Sequence, residues 1–166
     1  FNTSLSYGNS SGIQSGSTYK LFTLLQWLNT GHGVNEVLNG SARTEPASSF
    51  KDRCTGAIDQ FKFKNNSGEA GNFTVRYGTV QSINGMFVSM AKELDLCDIN
   101  QLAASLGVEM GLETTLPNNP SSILGVTYVT PLSMATAYAA VAAGGKTCEP
   151  MIVDLFVDPN ADQYPG

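Results

Sequence analysis

The chain has 166 residues, of which 42% are hydrophobic and 14% are charged, and its formal net charge at pH 7 is −5. This length and apolar content suffice for one globular domain with a buried core. The acidic balance, without any lysine or arginine cluster, excludes a nucleic-acid footprint, and no stretch reaches the roughly 18 apolar residues of a membrane span.

The first predicted helix covers residues 18–28, after a segment rich in serine, asparagine and glycine. The i, i+3, i+4, i+7 spacing of one apolar helix face is met by four leucines: Leu21, Leu24, Leu25 and Leu28. Phe22 and Trp27 add bulk on other faces, so we expect this helix to be buried nearly all round.

The next stretch, residues 32–71, has weak periodicity and many glycines. We expect a long excursion with little regular structure and one short strand at 60–64. Thr74 is a plausible N-cap for a short helix that ends just before Ser82.

Three further elements are predicted in the second half of the chain. The helical apolar spacing returns after Asn84, and Asp98 is expected to cap a helix that ends at Leu106. Thr130 and Pro131 are a strong start signal for a helix through 143. Residues 151–157 are rich in apolar and β-branched side chains and predict a strand, for which no partner strand is obvious.

Ser17 and Lys20 lie three residues apart at the start of the first predicted helix. Residues with this spacing share a helix face, so the Lys20 amine can reach the Ser17 hydroxyl. A serine needs an adjacent base to be a nucleophile at pH 7, and burial favours the neutral, basic form of a lysine. Gly16 lets the chain turn sharply into the helix, whose N-terminus favours a developing oxyanion.

A second signature, Ser82-Ile83-Asn84, also opens a predicted helix. Ser-x-x-Lys alone occurs by chance in many helices, and Ser-x-Asn alone carries almost no information. In this order, each before an apolar-striped helix, the two together indicate a serine acyltransferase of the kind that reacts with penicillin.

These residues resemble the transpeptidase domain of a bifunctional (class A) penicillin-binding protein of an actinobacterial kind. The segment 16–23, GSTYKLFT, is similar to the family's GSTFKPFT, and 82–88, SINGMFV, is similar to SVNTAFV. The segment 129–139, VTPLSMATAYA, is similar to the diagnostic VTPLEMASAYA, which is not catalytic in the family. The resemblance implies an α/β (α+β) fold of the penicillin-binding protein and serine β-lactamase type, an antiparallel sheet flanked by helices.

The resemblance also implies a role for each matching residue. Ser17 would attack the D-Ala-D-Ala carbonyl of a peptidoglycan stem peptide, with Lys20 as the general base and the Ser17 N–H as one oxyanion donor. Ser82 would relay the proton to the leaving group, and Asn84 would hold the donor peptide and orient Lys20. Gly16, Ser17, Ser82 and Asn84 would line the substrate site, where β-lactams would acylate Ser17.

One family signature, Lys-Thr-Gly, is absent. Lys146-Thr147-Cys148 is rejected as a substitute, because it directly follows the Thr130 helix and lacks the bare glycine backbone beside which substrate would lie. We therefore expect residues 1–166 to be an incomplete transpeptidase domain, the central and mostly helical part, which alone would be a crippled catalyst. The Lys-Thr-Gly strand would lie beyond Gly166 in the same polypeptide or on a second chain.

Alternatives stay open at this stage. A D,D-carboxypeptidase or a monofunctional transpeptidase would use the same acyl-enzyme, and the 129–139 segment favours the bifunctional class. A β-lactamase is disfavoured because no deacylating carboxylate is evident. A non-catalytic module that binds β-lactams or cell wall would keep the pocket without turnover.

The three cysteines fit no zinc-site spacing. They are either three unrelated thiols or a Cys54–Cys97 disulfide with Cys148 paired beyond Gly166. We expect no metal, no cofactor and no nucleic-acid partner; the expected partners are D-Ala-D-Ala stem peptides and β-lactams. The family resemblance places the protein at the extracytoplasmic face of the cell membrane, anchored by an N-terminal segment outside this chain.

Overall fold

The computed structural model describes residues 12–54, 59–110 and 119–151, together with the backbone of 155–157 and 163–165. Five α-helices lie within these residues: α1 (Lys20–Asn29), α2 (Val75–Val80), α3 (Asn84–Glu93), α4 (Leu96–Ser105) and α5 (Pro131–Ala142). Short 3₁₀ helices occur at Gly16–Tyr19, Ala47–Ser49 and Ser122–Leu124. Helices thus dominate the described part of the chain, as the sequence predicted.

The described strands are short and pair only in twos, always antiparallel. In chain order they are β1 (Ile13–Gln14), β2 (Val37–Asn39), β3 (Thr44–Glu45), β4 (Phe61–Lys62), β5 (Asn72–Thr74), β6 (Tyr128–Val129), β7 (Leu155–Val157) and β8 (Gln163–Pro165). The pairs are β1–β6, β2–β5, β3–β4 and β7–β8.

Two sequence predictions about strands need correction. The 32–71 stretch carries β2 and β3 as well as the predicted strand near 60–64, because each pairs with a segment more than ten residues away. The predicted strand at 151–157 is observed as Leu155–Val157, and it does have a partner, Gln163–Pro165. Periodicity misses such pairs because a two- or three-residue strand is too short to show alternation.

Helix α3 lies at the centre of the core. Its residues from Gly85 to Ala91 are all buried, and it packs against α1, α2, β2 and the Ser122–Leu124 turn. The buried surface of α3 is therefore wider than the apolar face predicted after Asn84, because neighbouring elements cover the helix on several sides.

The buried face of α1 differs from the prediction. Phe22 and Trp27 are buried with Thr23, whereas Leu28 is 42% exposed and the other leucines are only partly buried. The reason is that α1 packs against both α3 and α4, and its two large rings belong to the buried core cluster. The expectation of burial nearly all round was wrong.

Helix starts follow their local signals with one exception. The Thr74 hydroxyl accepts from the Tyr77 N–H, and the Thr130 hydroxyl accepts from the Ser133 N–H, as predicted. The Asp98 cap is wrong: α4 begins at Leu96 and its N-cap is Asp95, whose carboxylate accepts from the Cys97 N–H. Asp98 instead lies in the first turn and pairs with Arg53.

Cys54 and Cys97, which are 43 positions apart in the sequence, are joined as a disulfide with their Cα atoms 5.7 Å apart. Of the two possibilities that the cysteines left open, the structure has the Cys54–Cys97 disulfide; Cys148 is exposed and unpaired within this chain, and its pairing with a cysteine beyond Gly166 stays a prediction. Every described helix falls short of the length and apolar content that crossing a membrane requires.

Candidate active site

Lys20 is the centre of the site. It is the first residue of α1 and only 3% exposed, although it carries an amine. Its Nζ donates to the Ser82 carbonyl oxygen at 2.7 Å, to Ser82 Oγ at 3.0 Å and to Asn84 Oδ1 at 2.6 Å. The structure therefore brings together Lys20, Ser82 and Asn84, three of the four predicted catalytic residues, by direct hydrogen bonds.

Ser17 lies in the Gly16–Tyr19 turn that precedes α1, and its side chain is exposed. The Lys20 N–H donates to the Ser17 carbonyl, so the two residues are held one turn apart. Among the described residues, no hydrogen bond joins the Ser17 hydroxyl to Lys20. Hydrogen bonds of this kind are often long or absent until substrate binds, and the exposed Ser17 side chain is open to a substrate.

The turn that carries Ser82 has an unusual backbone. Ser82 has φ +52°, which is the left-handed region that non-glycine residues rarely adopt, and it is the one such residue in the described part of the chain. Its N–H donates to the Thr79 carbonyl, and the Ile83 N–H donates to the Gly78 carbonyl. This conformation lets the Ser82 carbonyl and hydroxyl both face Lys20. Strain of this kind concentrates at functional sites.

Burial lowers the pKa of Lys20 from 10.5 to about 8. The Glu69 carboxylate acts in the opposite direction and favours the charged amine. The Phe87 ring lies beneath the amine, with Nζ 5.2 Å from its centroid. A lysine with this pKa is neutral in part of the molecules near neutral pH, as a general base must be.

The approach to Ser17 is built from two glycines. Gly16 has φ +56°, and its N–H donates to the Gly125 carbonyl at 2.8 Å. A Cβ on Gly125 would collide with the Gly16 carbonyl oxygen. The Ser15 N–H donates to the Thr127 carbonyl, which continues this contact toward the β1–β6 pair. Gly16 therefore directly precedes Ser17 in a backbone conformation that favours glycine, and Gly125 is the residue that lets the two backbones meet.

Several residues at the site were not found from the sequence. The Lys64 carbonyl accepts from Asn84 Nδ2 at 2.7 Å, and the side chain of Asn65 contacts the next residue, Gly85. Glu69 acts on Lys20 from the same loop. These residues lie at least 13 positions before Ser82, in the stretch with weak periodicity, and no local pattern marks them.

Lys146-Thr147-Cys148, the rejected third signature, lies elsewhere. Thr147 and Cys148 line a cavity of about 530 Å³ with Ser105 at the end of α4 and Ser133 on α5. The lining of that cavity does not include Lys20, Ser82 or Asn84. In the described residues, the atoms close enough to hold a metal belong to Asp52, Cys54 and Cys97, and the two sulfurs form the disulfide.

The arrangement can activate a hydroxyl. A buried amine of lowered pKa lies one helical turn from an exposed serine at a helix N-terminus, and a second hydroxyl lies 3.0 Å from the same amine. Such a set can take a proton from the nucleophile and pass one to a leaving group.

The sequence model described as the penicillin-binding protein transpeptidase domain matches residues 6–165. Penicillin-binding protein 1A of Rickettsia felis is 30% identical over 152 residues, which are 89% of this chain and 17% of that protein. Penicillin-binding protein 1A of Aquifex aeolicus is 33% identical over 94 residues, 57% of this chain and 12% of that protein. The chain thus spans less than a fifth of the length of these relatives.

Solved structures share the fold. The penicillin-binding protein PonA1 of Mycobacterium tuberculosis superposes with a TM-score of 0.69 at 23% identity, over 93% of this chain and 40% of that chain. Penicillin-binding protein 1A of Haemophilus influenzae gives 0.73 at 22% identity, over 94% and 22%. The penicillin G acyl-enzyme complex of penicillin-binding protein A from M. tuberculosis gives 0.71 at 23% identity, over 94% and 40%. The predicted fold class is confirmed.

Proposed function

Since the chain belongs to the penicillin-binding protein transpeptidase family, we propose that it supplies the acyl-transfer residues of a peptidoglycan D,D-transpeptidase. One observation supports this most strongly: the buried Lys20 amine lies within 3.0 Å of Ser82 Oγ and 2.6 Å of Asn84 Oδ1. The three side chains that a serine acyltransferase needs beside its nucleophile are thus in contact, one turn from Ser17.

In the proposed acylation step, the Ser17 oxygen attacks the carbonyl carbon between the two D-Ala residues. The hydroxyl proton passes to the neutral Lys20 amine as the new C–O bond forms. The negative charge on the carbonyl oxygen is stabilised by the Ser17 N–H at the helix N-terminus. Asn84 orients Lys20 through its Oδ1.

In the second half of the reaction, the amide C–N bond breaks and the terminal D-Ala leaves as the amine. Its proton comes from Lys20 by way of the Ser82 hydroxyl, which is 3.0 Å from Nζ. The amine of a second stem peptide then attacks the ester, gives up its proton to the same relay and releases Ser17. A β-lactam acylates Ser17 in the corresponding way: its ring C–N bond breaks, the ring nitrogen takes the proton, and the amine stays attached to the acyl group, so no group leaves.

The proposal extends to the surroundings of the chain. We place the second oxyanion donor on a Lys-Thr-Gly strand outside residues 1–166, which makes this chain one part of a larger domain. The substrate lies outside the cell membrane, so the protein would act at its extracytoplasmic face, anchored by a preceding segment. The Cys54–Cys97 disulfide supports an oxidising compartment.

The test is intact mass spectrometry of the natural full-length polypeptide after incubation with benzylpenicillin. We expect one drug adduct on the wild type and none on Ser17→Ala. The control is Ser105→Ala, which removes an exposed serine at the end of α4 and should keep the adduct. Absence of an adduct on the wild type, or its survival in Ser17→Ala, would contradict the assignment of the nucleophile.

A second assay separates transfer from hydrolysis. A synthetic stem pentapeptide ending in D-Ala-D-Ala is supplied with and without an amine acceptor. We expect a cross-linked product when the acceptor is present. Release of D-Ala to water alone would indicate a carboxypeptidase, and β-lactam binding without any turnover would indicate a binding module; either result would overturn the transpeptidase proposal.

A further inference from the structure

The side chain of Asn65 ties three segments together beside the site. Its Nδ2 donates to the Gly40 carbonyl at 2.7 Å and to the Glu69 carbonyl at 2.6 Å, and its Oδ1 accepts from the Gly85 N–H at 2.9 Å. Both amide hydrogens and the carbonyl oxygen of Asn65 are therefore used.

The bond to Gly85 acts at the N-terminus of α3. The first N–H groups of a helix have no partner inside the helix, and Ile83, the N-cap residue, supplies no side-chain acceptor. Asn65 supplies that acceptor from 20 residues earlier in the chain. A Cβ on Gly85 would collide with the Gly40 carbonyl oxygen, so the helix start lies directly on the segment that Asn65 also binds.

The residue before Asn65 reaches the catalytic amide. Asn84 Nδ2 donates to the Lys64 carbonyl at 2.7 Å, and this bond turns Asn84 Oδ1 toward Lys20, 2.6 Å from Nζ. An amide has one oxygen, so its orientation is decided by where the nitrogen donates. The backbone at 64–65 thus determines which acceptor Lys20 meets.

We propose that Asn65 is a positioning residue for the reaction at Ser17, holding the Ser82–Asn84 turn and the Asn84 amide in register with Lys20. This inference rests on the proposed function, because it concerns the rate of the same acylation. Asn65 is only partly buried, and its three hydrogen bonds all go to backbone atoms of the segments around the Ser82–Asn84 turn.

The variants are Asn65→Ala, Asn65→Asp and the matched control Asn66→Ala in the full-length polypeptide. Alanine removes all three bonds. Aspartate keeps the shape of the side chain and the oxygen that accepts from the Gly85 N–H, but it loses both N–H donors. It replaces the alanine variant as the test if that variant does not fold. Asn66 is the exposed neighbour of the same type, and no hydrogen bond of its side chain is found within the described residues.

The measurement is the rate constant of acylation by a fluorescent penicillin, per active molecule, across pH, with the melting temperature recorded for each variant. We expect a fall of about 10–100-fold for Asn65→Ala, because small misplacements of reacting groups have effects of this size. The low-pH limb of its profile should move to lower pH, since Asn84 Oδ1 no longer favours the charged amine and the Glu69 segment loses its bond to Asn65. The charge added in Asn65→Asp acts on Lys20 directly and would shift the pH profile by itself. For this variant only the rate constant is compared with that of the wild type, and it should also fall.

The outcomes separate the two proposals. Wild-type rate constants in both Asn65 variants, together with a wild-type pH limb in Asn65→Ala, would mean a merely structural residue and overturn this inference, even if the melting temperature is lower. An equal loss in Asn66→Ala would also overturn it, because the effect would not be specific to the three bonds. A wild type that penicillin does not label would instead overturn the proposed function.

Discussion

Lys20 Nζ and Asn84 Oδ1 lie 2.6 Å apart although 64 residues separate them in the sequence. The bond joins the first residue of α1 to the first residue of α3, the helix at the centre of the core. Because α3 is buried along most of its length, the acceptor that orients the Lys20 amine is fixed by the packing of the whole fold. The chemistry proposed for Ser17 depends on this long-range contact.

The pH dependence of acylation should report the ionisation of Lys20. Burial lowers its pKa to about 8 while Glu69 favours the charged form, and only the neutral amine is a base. The acylation rate should therefore rise with pH and level off above about pH 8. Replacing Glu69→Gln removes the opposing charge, so the pKa should fall further and the midpoint of the rise should move to lower pH. The profile of penicillin labelling measures this midpoint.

The control for that experiment is Glu93→Gln, which makes the same charge change at the exposed far end of α3. Its midpoint should equal that of the wild type. A midpoint that stays in place or moves to higher pH in Glu69→Gln would show that Glu69 does not act on Lys20 as described.

The left-handed backbone conformation of Ser82 should lower the free energy of unfolding. At φ +52° a side chain with Cβ is strained, whereas glycine is not. Ser82→Gly and Ser82→Ala both lose the hydroxyl, but only alanine keeps the strain, so the glycine variant should be more stable by roughly 1 kcal/mol. Urea unfolding of the two variants compares them directly, and both should be impaired in acylation. An alanine variant as stable as the glycine variant would mean that the turn relaxes without cost.

The buried hydroxyl of Tyr19 should contribute to stability. It donates to Asn100 Oδ1 at 2.6 Å and so links the turn before α1 to α4. Burial raises the pKa of Tyr19, so the phenol remains a donor at all ordinary pH values. Tyr19→Phe should lower the free energy of unfolding by about 1 kcal/mol, which is typical of one buried hydrogen bond.

The matched variant for Tyr19 is Tyr77→Phe, because the Tyr77 side chain is half exposed. Surface changes of this kind stay within about 0.5 kcal/mol. Equal unfolding free energies for the two variants, measured by the same denaturant titration, would mean that the Tyr19–Asn100 bond adds no net stability.

The disulfide should be found in the isolated protein. Peptide mapping without reduction should recover a cross-linked pair that contains Cys54 and Cys97. Closing a loop of 43 residues stabilises the fold by about 4 kcal/mol in the chain-entropy estimate, so reduction should lower the melting temperature. Alkylation of Cys54, Cys97 and Cys148 before reduction would contradict the Cys54–Cys97 disulfide. The Cys148→Ser variant should still give the cross-linked Cys54–Cys97 peptide pair.

Local features of the sequence predicted most of the helices and the two motifs of the candidate site. Thr74 and Thr130 each start a helix through a bond to a residue three positions on, so the signal and its partner lie in the same short window. Ser17 with Lys20, and Ser82 with Asn84, were likewise visible as two short motifs. The family resemblance rested on such local matches and was confirmed over residues 6–165.

Tertiary structure alone decided what these residues touch. Asp95 rather than Asp98 caps α4, because that helix begins three residues earlier than an Asp98 cap predicts, and α1 buries its aromatic rings more completely than its leucines because of the helices packed on it. Lys20 contacts Ser82 and Asn84, and the turn between them is held by Asn65 and Lys64. Contacts between segments 20 or more residues apart leave no periodic trace in the sequence, since they depend on how the buried helices pack.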